Sequence, residues 1–247
     1  MLIVTGGAGF IGSNLVKMLI ERGYDDVVVV DDLVDGHKFV NISDLPIADY
    51  LDKDEFLERL AEPRFARGLK AVFHQGACST TTEWDGRYMM DENYAVSREW
   101  LHACLERGVP LIYASSASVY GAGPEFSEEP ACESPLNVYG YSKLQFDRYV
   151  RRIAAEPDSQ VVGLRYFNVF GPRQDPSSPY SGVISVFANK LINRKQPTIF
   201  GDGAQTRDFV YVADVVEANV KAAIEKSAPG NTINIATGIS VSLNDLL

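Results

Sequence analysis

The stretch "LNVYGYSK", Leu136 to Lys143, sets two tyrosines shortly before a lysine. Residues four apart on a helix share a face, and residues two apart do not. With a helix starting near Val138, Tyr139 and Lys143 point the same way and Tyr141 looks elsewhere. An ammonium beside a phenol favours the phenolate and draws the tyrosine below its ordinary ~10. Such a pair supplies a base near neutrality, suited to taking a proton from an alcohol. A plain surface helix with one lysine has the same spacing, so the rest of the chain must decide between the two.

The elements that would position this pair begin at the N-terminus. "TGGAGFIG" brings Gly6, Gly9 and Gly12 together as G-x-x-G-x-x-G, between a strand-like "LIVT" and a helical pattern from Phe10 to Arg22. Glycines permit a tight turn, and the helix start offers free N–H groups to a pyrophosphate. Asp31 ends the next apolar run, nineteen residues after Gly12. An acid there either accepts the hydroxyls of an adenosine ribose or caps the strand. Asp31 and Asp32 together repel a 2′-phosphate, which favours NAD. Lys38 and Lys53 soften that preference and leave NADP open.

The order of elements follows. "DVVVVDD", "KAVFHQGA", "VPLIYASS" and "SQVVGLRYFNV" are strand-length apolar runs separated by helical patterns, the longest from about Tyr88 to Arg107. Near-continuous apolar strands in βαβα order imply a doubly wound parallel sheet of the α/β class, a Rossmann arrangement. Residues 1–170 read as the dinucleotide-binding domain. After Gly171 comes a Pro/Ser/Gly loop, "GPRQDPSSPYSG". Helices from Val183 to Asn193 and Val212 to Glu225 then mix with short strands "PTIF" and "TINIAT". Residues 171–247 therefore read as a smaller, discontinuous substrate-binding region. Its closing "SVSLNDLL" looks like the start of a further helix, so the region reads as incomplete at its C-terminus.

Bulk properties exclude several classes. The 247 residues carry a net charge of −10 and no basic cluster, which argues against nucleic acid and against an anionic membrane surface. No apolar run approaches the ~20 residues of a membrane span, and no signal peptide is evident at the start. Cys78, Cys104 and Cys132 are irregularly spaced; they suggest neither a disulfide framework nor a zinc site, and they suit a reducing cytoplasm.

"TGGAGFIG", "YASSASVYG" and "YGYSK", in this order, resemble the extended short-chain dehydrogenase/reductase family, specifically its nucleotide-sugar epimerases. The likeness runs through essentially the whole chain. It implies an enzyme that keeps NAD bound and inverts a sugar carbon by transient oxidation and hydride return. It makes Ser116, Tyr139 and Lys143 the catalytic residues, with Tyr139 rather than Tyr141 as the base and Lys143 also on the nicotinamide ribose. The resemblance further implies Phe10, Ile11, Gln75, Ala77 and Asn93 at the cofactor, with Asp31, Asp32 and Lys38, and Ser118 at the substrate. Asn168 in "YFNVFGP" and Arg207 in "QTRDFVYV" match residues that hold the sugar diphosphate. By residue type alone, Ser116 is also a plausible strand-end serine, Asn168 a turn cap, and Arg207 an ion-pair partner of Asp202 or Asp208. His74 and Glu83 invite reading as an acid/base pair, although His74 reads better as a strand-end residue beside the cofactor. The family also implies a homodimer through the Tyr88–Arg107 and Tyr139–Ile153 helices.

Two substrates compete. "FVNISDLPIADYLDKDEF" and "FHQGACSTTTEWDGRYMM" resemble ADP-glycero-manno-heptose 6-epimerases of lipopolysaccharide assembly. "VFGPRQDPSSPYSGVISVFANKL" and "FGDGAQTRDFVYVADVVEA" resemble UDP-hexose 4-epimerases. The heptose enzymes resemble a two-base design with a lysine after G-P-R, whereas "QDPSSPYSG" has none unless Lys190 reaches the site. The expectation is therefore a UDP-glucose or UDP-GlcNAc 4-epimerase, with the ADP-heptose enzyme as alternative and a non-catalytic dinucleotide-binding regulator as the alternative of another class. Sugar dehydratases carry an Asp-Glu pair where this chain has Ala117 and Ser118, which speaks against elimination.

Overall fold

The computed structural model describes residues 1–60, 62, 68–153, 160–176, 181–224 and 231–247. Its main sheet holds β1 (Leu2–Thr5), β2 (Val27–Asp31), β3 (Asp49–Asp52), β4 (Ala71–His74), β5 (Leu111–Ser116), β6 (Val161–Tyr166) and β9 (Thr232–Ile235). These seven strands run parallel in the order β3-β2-β1-β4-β5-β6-β9. Valine, isoleucine and leucine crowd the central strands because both faces are covered, and β1, β2, β4 and β6 are buried at every position.

Helix α1 (Phe10–Glu21) packs on one face through Leu15, Val16 and Leu19. It lies beside α7 (Val212–Ile224), whose Val215, Val216 and Val220 join the same core. The other face is covered by α4 (Val96–Arg107) and α5 (Val138–Ile153), with Trp100, Leu101, Phe146 and Val150 facing inward. Helix α2 (Lys53–Leu60) follows β3 and brings Phe56 onto Trp100, ring centroids 4.5 Å apart. Before α4, a short helix α3 (Gly86–Met90) passes through a π turn at Asp91–Ala95. The sequence reads this as one uninterrupted helix, because a single inserted residue leaves the apolar pattern nearly unchanged.

A second sheet pairs β7 (Asn168–Phe170) in parallel with β8 (Thr206–Tyr211), and β8 in antiparallel fashion with β10 (Ser240–Ser242). Helix α6 (Val183–Ile192) lies between β7 and β8 in the chain. Two expectations are corrected here. "PTIF" is an irregular segment rather than a strand. "SVSLNDLL" opens as strand β10 and ends in a turn, not a helix, with Ser242 Oγ accepting from the Asp245 N–H at 3.1 Å. The last residue expected in α7, Glu225, lies outside the described residues. Among the described residues no helix is long and apolar enough to cross a membrane, and no His/Cys/Asp/Glu group could hold a metal ion.

Candidate active site

A cavity of about 650 Å³ runs along the carboxyl ends of β1, β2, β4, β5 and β6. Open α/β sheets bind ligands there, because helix starts and strand-end loops converge where the strand order reverses. One end is the glycine turn. Gly9 heads α1 with no side-chain cap and no acid in the first turn, so free N–H groups and the positive end of the helix dipole meet the cavity. A Cβ on Gly12 would lie 2.1 Å from the Gly6 carbonyl oxygen. Only glycine lets the helix begin against its own turn, and the seat it leaves fits a pyrophosphate.

Asp31 and Asp32 end β2 at the next stretch of wall. Asp31 accepts from the Ala8 N–H (2.9 Å), the Asp32 N–H (2.9 Å) and Lys38 Nζ (3.1 Å). A carboxylate has roughly four lone-pair sites, so capacity remains for a ribose hydroxyl. Lys38 also reaches Asp32 at 3.2 Å. Burial would lower the Lys38 pKa, but the two carboxylates raise it overall. Burial would likewise raise that of Asp32, yet the Val34 N–H and Lys38 hold it below the usual carboxylate range. Lys53 is held by Glu92 at 2.9 Å. Both lysines are thus engaged by acids.

Ser116, Tyr139 and Lys143 share the opposite wall. Ser116 ends β5, where its Oγ accepts from the Ser118 N–H at 3.1 Å and donates to Ser118 Oγ at 3.2 Å. Tyr139 and Lys143 lie one turn apart on α5. Gly140 between the two tyrosines lets α5 approach the Ser118 carbonyl, which a Cβ would meet at 2.6 Å. Tyr141 is exposed on the outside rather than packed. One expectation changes: the tyrosine pKa is raised, not lowered. Burial disfavours the phenolate more than the Ser116 hydroxyl favours it. Burial also pulls Lys143 down to about 8, against the attraction of Asp147, while its Nζ donates to the Ala114 carbonyl at 3.0 Å.

A polar chain supports this wall from behind. The Gly76 N–H donates to Thr5 Oγ1 (3.0 Å), Thr5 Oγ1 meets His74 Nδ1 (2.7 Å), and His74 Nε2 meets Ser97 Oγ (2.9 Å). Ser97 gives its only hydrogen to the Asn93 carbonyl at 2.5 Å. It must therefore accept from His74, so Nε2 carries the ring proton and Nδ1 accepts from Thr5. Burial, with the charge of Lys143, brings the imidazole pKa to about 3 and keeps it neutral. His74 is thus committed to a strut, and Glu83 bonds the Asp85 N–H instead of pairing with it.

Asn93, in the π turn, does not line the cavity. Its amide clamps the Cys78 N–H (2.8 Å) and carbonyl (3.0 Å) and reaches Ser142 Oγ (3.1 Å), and Cys78 is a lining residue. Ser118 also lies behind the wall, touching Ser116. Arg207 is exposed on β8 and donates to the Thr206 carbonyl at 2.7 Å. Phe10, Ile11, Gln75, Ala77 and Asn168 all line the cavity. The Gln75 side chain is occupied by Asn219 and Tyr166, both at 2.9 Å, and Asn168 donates to the Asp208 carbonyl at 3.0 Å.

The sequence reading missed the buried ion cluster under α5. Asp147 accepts from Arg165 Nε (3.0 Å), Ser115 Oγ (3.0 Å) and Tyr113 Oη (3.1 Å). Arg165 also reaches Glu133 at 2.6 Å, and Arg151 grips Glu133 with two bonds at 2.8 and 2.9 Å. The signal was an arginine inside the apolar run "VVGLRY", since a strand buried on both faces must give such a residue an acid. Cys78, Ser79, Thr80 and Tyr88 were missed as lining residues because they come from loops and a short helix without a residue pattern.

The sequence model of the NAD dependent epimerase/dehydratase family matches residues 2–236. The chain belongs to that family. Its fold and its cofactor, NAD, are those of the family. Among solved structures, a UDP-N-acetylglucosamine 4-epimerase from Methanobrevibacter ruminantium is 32% identical, with a TM-score of 0.87 over 99% of this chain and 79% of that one. The ADP-L-glycero-D-manno-heptose-6-epimerase of Helicobacter pylori and the UDP-glucose 4-epimerase of Thermotoga maritima are also 32% identical, with TM-scores of 0.84 over the same shares. Epimerases acting on different sugars thus share the same identity with this chain.

Proposed function

We propose that this family member is a UDP-hexose or UDP-N-acetylhexosamine 4-epimerase. The observation that carries the reading is the convergence of Ser116, Tyr139 and Lys143 on one wall, opposite the glycine turn, in a cavity of about 650 Å³. When bound, NAD supplies a hydride acceptor that later gives the hydride back. The chain's own groups do the rest. Ser116 holds the sugar hydroxyl and Tyr139 Oη takes its proton, then returns it after the keto sugar has presented its other face. Lys143 donates to the ribose and adds positive charge beside the phenol. Burial raises the Tyr139 pKa above the ordinary phenol value, so the loaded site must supply enough positive charge to make it a base. Asp31 and Asp32 favour NAD over NADP, since their two charges exceed the one that Lys38 returns.

A single base favours C4 inversion over the heptose reaction. Lys190 is absent from the cavity wall and donates to Thr198 Oγ1 at 3.1 Å. Residues 177–180 of the loop after G-P-R lie outside the described residues and contain no lysine. Asn168 and Arg207 are assigned to the sugar diphosphate, Arg207 after turning inward from the Thr206 carbonyl. Two copies would associate through α4 and α5, and sedimentation equilibrium reads that state.

The test is NMR of UDP-glucose, UDP-GlcNAc and the ADP-heptose incubated with the purified protein. Epimers of a UDP sugar support the proposal. Turnover of the heptose alone replaces it with the 6-epimerase, and NAD binding without turnover of any sugar replaces it with a regulator. Tyr139→Phe is expected to lower the rate by more than ~100-fold.

A further inference from the structure

The segment after β7 leaves the sheet as "GPRQDP" and is tied to the cofactor cradle at two points. The Pro172 carbonyl accepts from Asn14 on α1 at 2.9 Å. The Arg173 guanidinium grips both carboxylate oxygens of Asp44, at 2.9 and 2.7 Å, and also donates to the Asn41 carbonyl. Asn41 in turn donates to the Ala8 carbonyl in the glycine turn at 3.0 Å. The next residue, Gln174, lines the cavity and accepts from Ser185 on α6. Arg173 itself has φ +67, a left-handed conformation that a β-carbon disfavours and that persists only where the surroundings hold it. A forked, charge-assisted pair is such a hold.

We propose that Arg173 and Asp44 form a strap that retains the dinucleotide, by locking the loop after β7 and the loop around Asn41 to the glycine turn. The proposal rests on the reading of this site as one that keeps its NAD through both hydride transfers. A strap answers a chemical need of that cycle. After the first transfer the sugar is oxidised by two electrons and the cofactor reduced by two. Departure of the cofactor then would strand a keto sugar and an enzyme unable to return the hydride.

The experiment needs no sugar. Protein loaded with NAD is diluted into ethanol and alcohol dehydrogenase, which reduces each released NAD to fluorescent NADH, so the release rate is read directly. Asp44→Asn and Arg173→Met are expected to speed release at least ~10-fold. Arg173→Lys should fall between, because one ammonium cannot span two oxygens. The double variant should release no faster than Arg173→Met, since that variant already removes the whole pair with Asp44. Asp44 is largely exposed, so Asp44→Asn should keep the unfolding temperature of the parent. At saturating added NAD the variants should regain the parent's kcat. Release at the parental rate from both single variants, or additive acceleration in the double, overturns the strap. A parent protein that binds no NAD overturns the underlying reading as well, and failure of sugar turnover alone leaves the release measurement standing.

Discussion

Replacing Lys143 by methionine should make the cofactor-free protein more stable while abolishing its activity. The ammonium is almost fully buried, at 5% exposure, and burial moves its pKa from the ordinary 10.5 to about 8. That displacement corresponds to about 3 kcal/mol withheld from folding at neutral pH. Methionine removes the charge and keeps most of the apolar stem, but it leaves the Ala114 carbonyl without its donor, at a cost of about 1 kcal/mol. The net expectation is a gain of about 2 kcal/mol near pH 7. The pH dependence has a definite sign. Below about 8 the native and unfolded lysines are both protonated and the penalty is whole. Between about 8 and 10.5 the native lysine is neutral while the unfolded one still binds its proton. Parental stability then rises with pH and the variant's advantage shrinks. Urea unfolding of parent and Lys143→Met at about pH 7 and about pH 9.5 measures both values. A variant less stable than the parent near pH 7, or an advantage equal at the two pH values, would refute the reasoning.

Gly12→Ala should weaken NAD binding by more than ~10-fold with little change in helix content, because a methyl 2.1 Å from the Gly6 carbonyl forces the turn open; calorimetric titration and circular dichroism read the two quantities. Arg165→Met should destabilise the fold by about 3–5 kcal/mol, since it strands the carboxylate of Asp147 in the interior; denaturant unfolding checks it. Nitrogen-15 NMR should show His74 protonated on Nε2 and unchanged between about pH 5 and 9. Its contribution to stability is whole above 6.5 and is lost as pH falls from there towards about 3, because only the unfolded imidazole gains a proton in that window.

The parallel sheet was legible in the sequence because strands such as "VVVVD" and "VVGLRY" are apolar on both faces, which little else requires. The glycine turn and the Tyr139–Lys143 pair were legible because their spacing is local. "PTIF" misled for the opposite reason: β-branched and aromatic residues suit a strand, but a strand also needs a partner, and the sequence does not say which neighbour pairs. β10 escaped notice because three residues of serine and valine carry too little pattern. Asn93 and Arg207 were assigned by motif, and motif does not fix which way a side chain turns. The raised Tyr139 pKa was illegible for a further reason. The sequence shows which charges are near, but not how much water the fold removes from them.

The row from Gly76 through Thr5, His74 and Ser97 to Asn93 begins at a backbone amide and ends at a backbone carbonyl. Such a row cannot conduct. Moving a proton along it would require the amide to surrender its hydrogen and the carbonyl to keep one. This row therefore fixes the imidazole in place and carries no proton between the cleft and the interior.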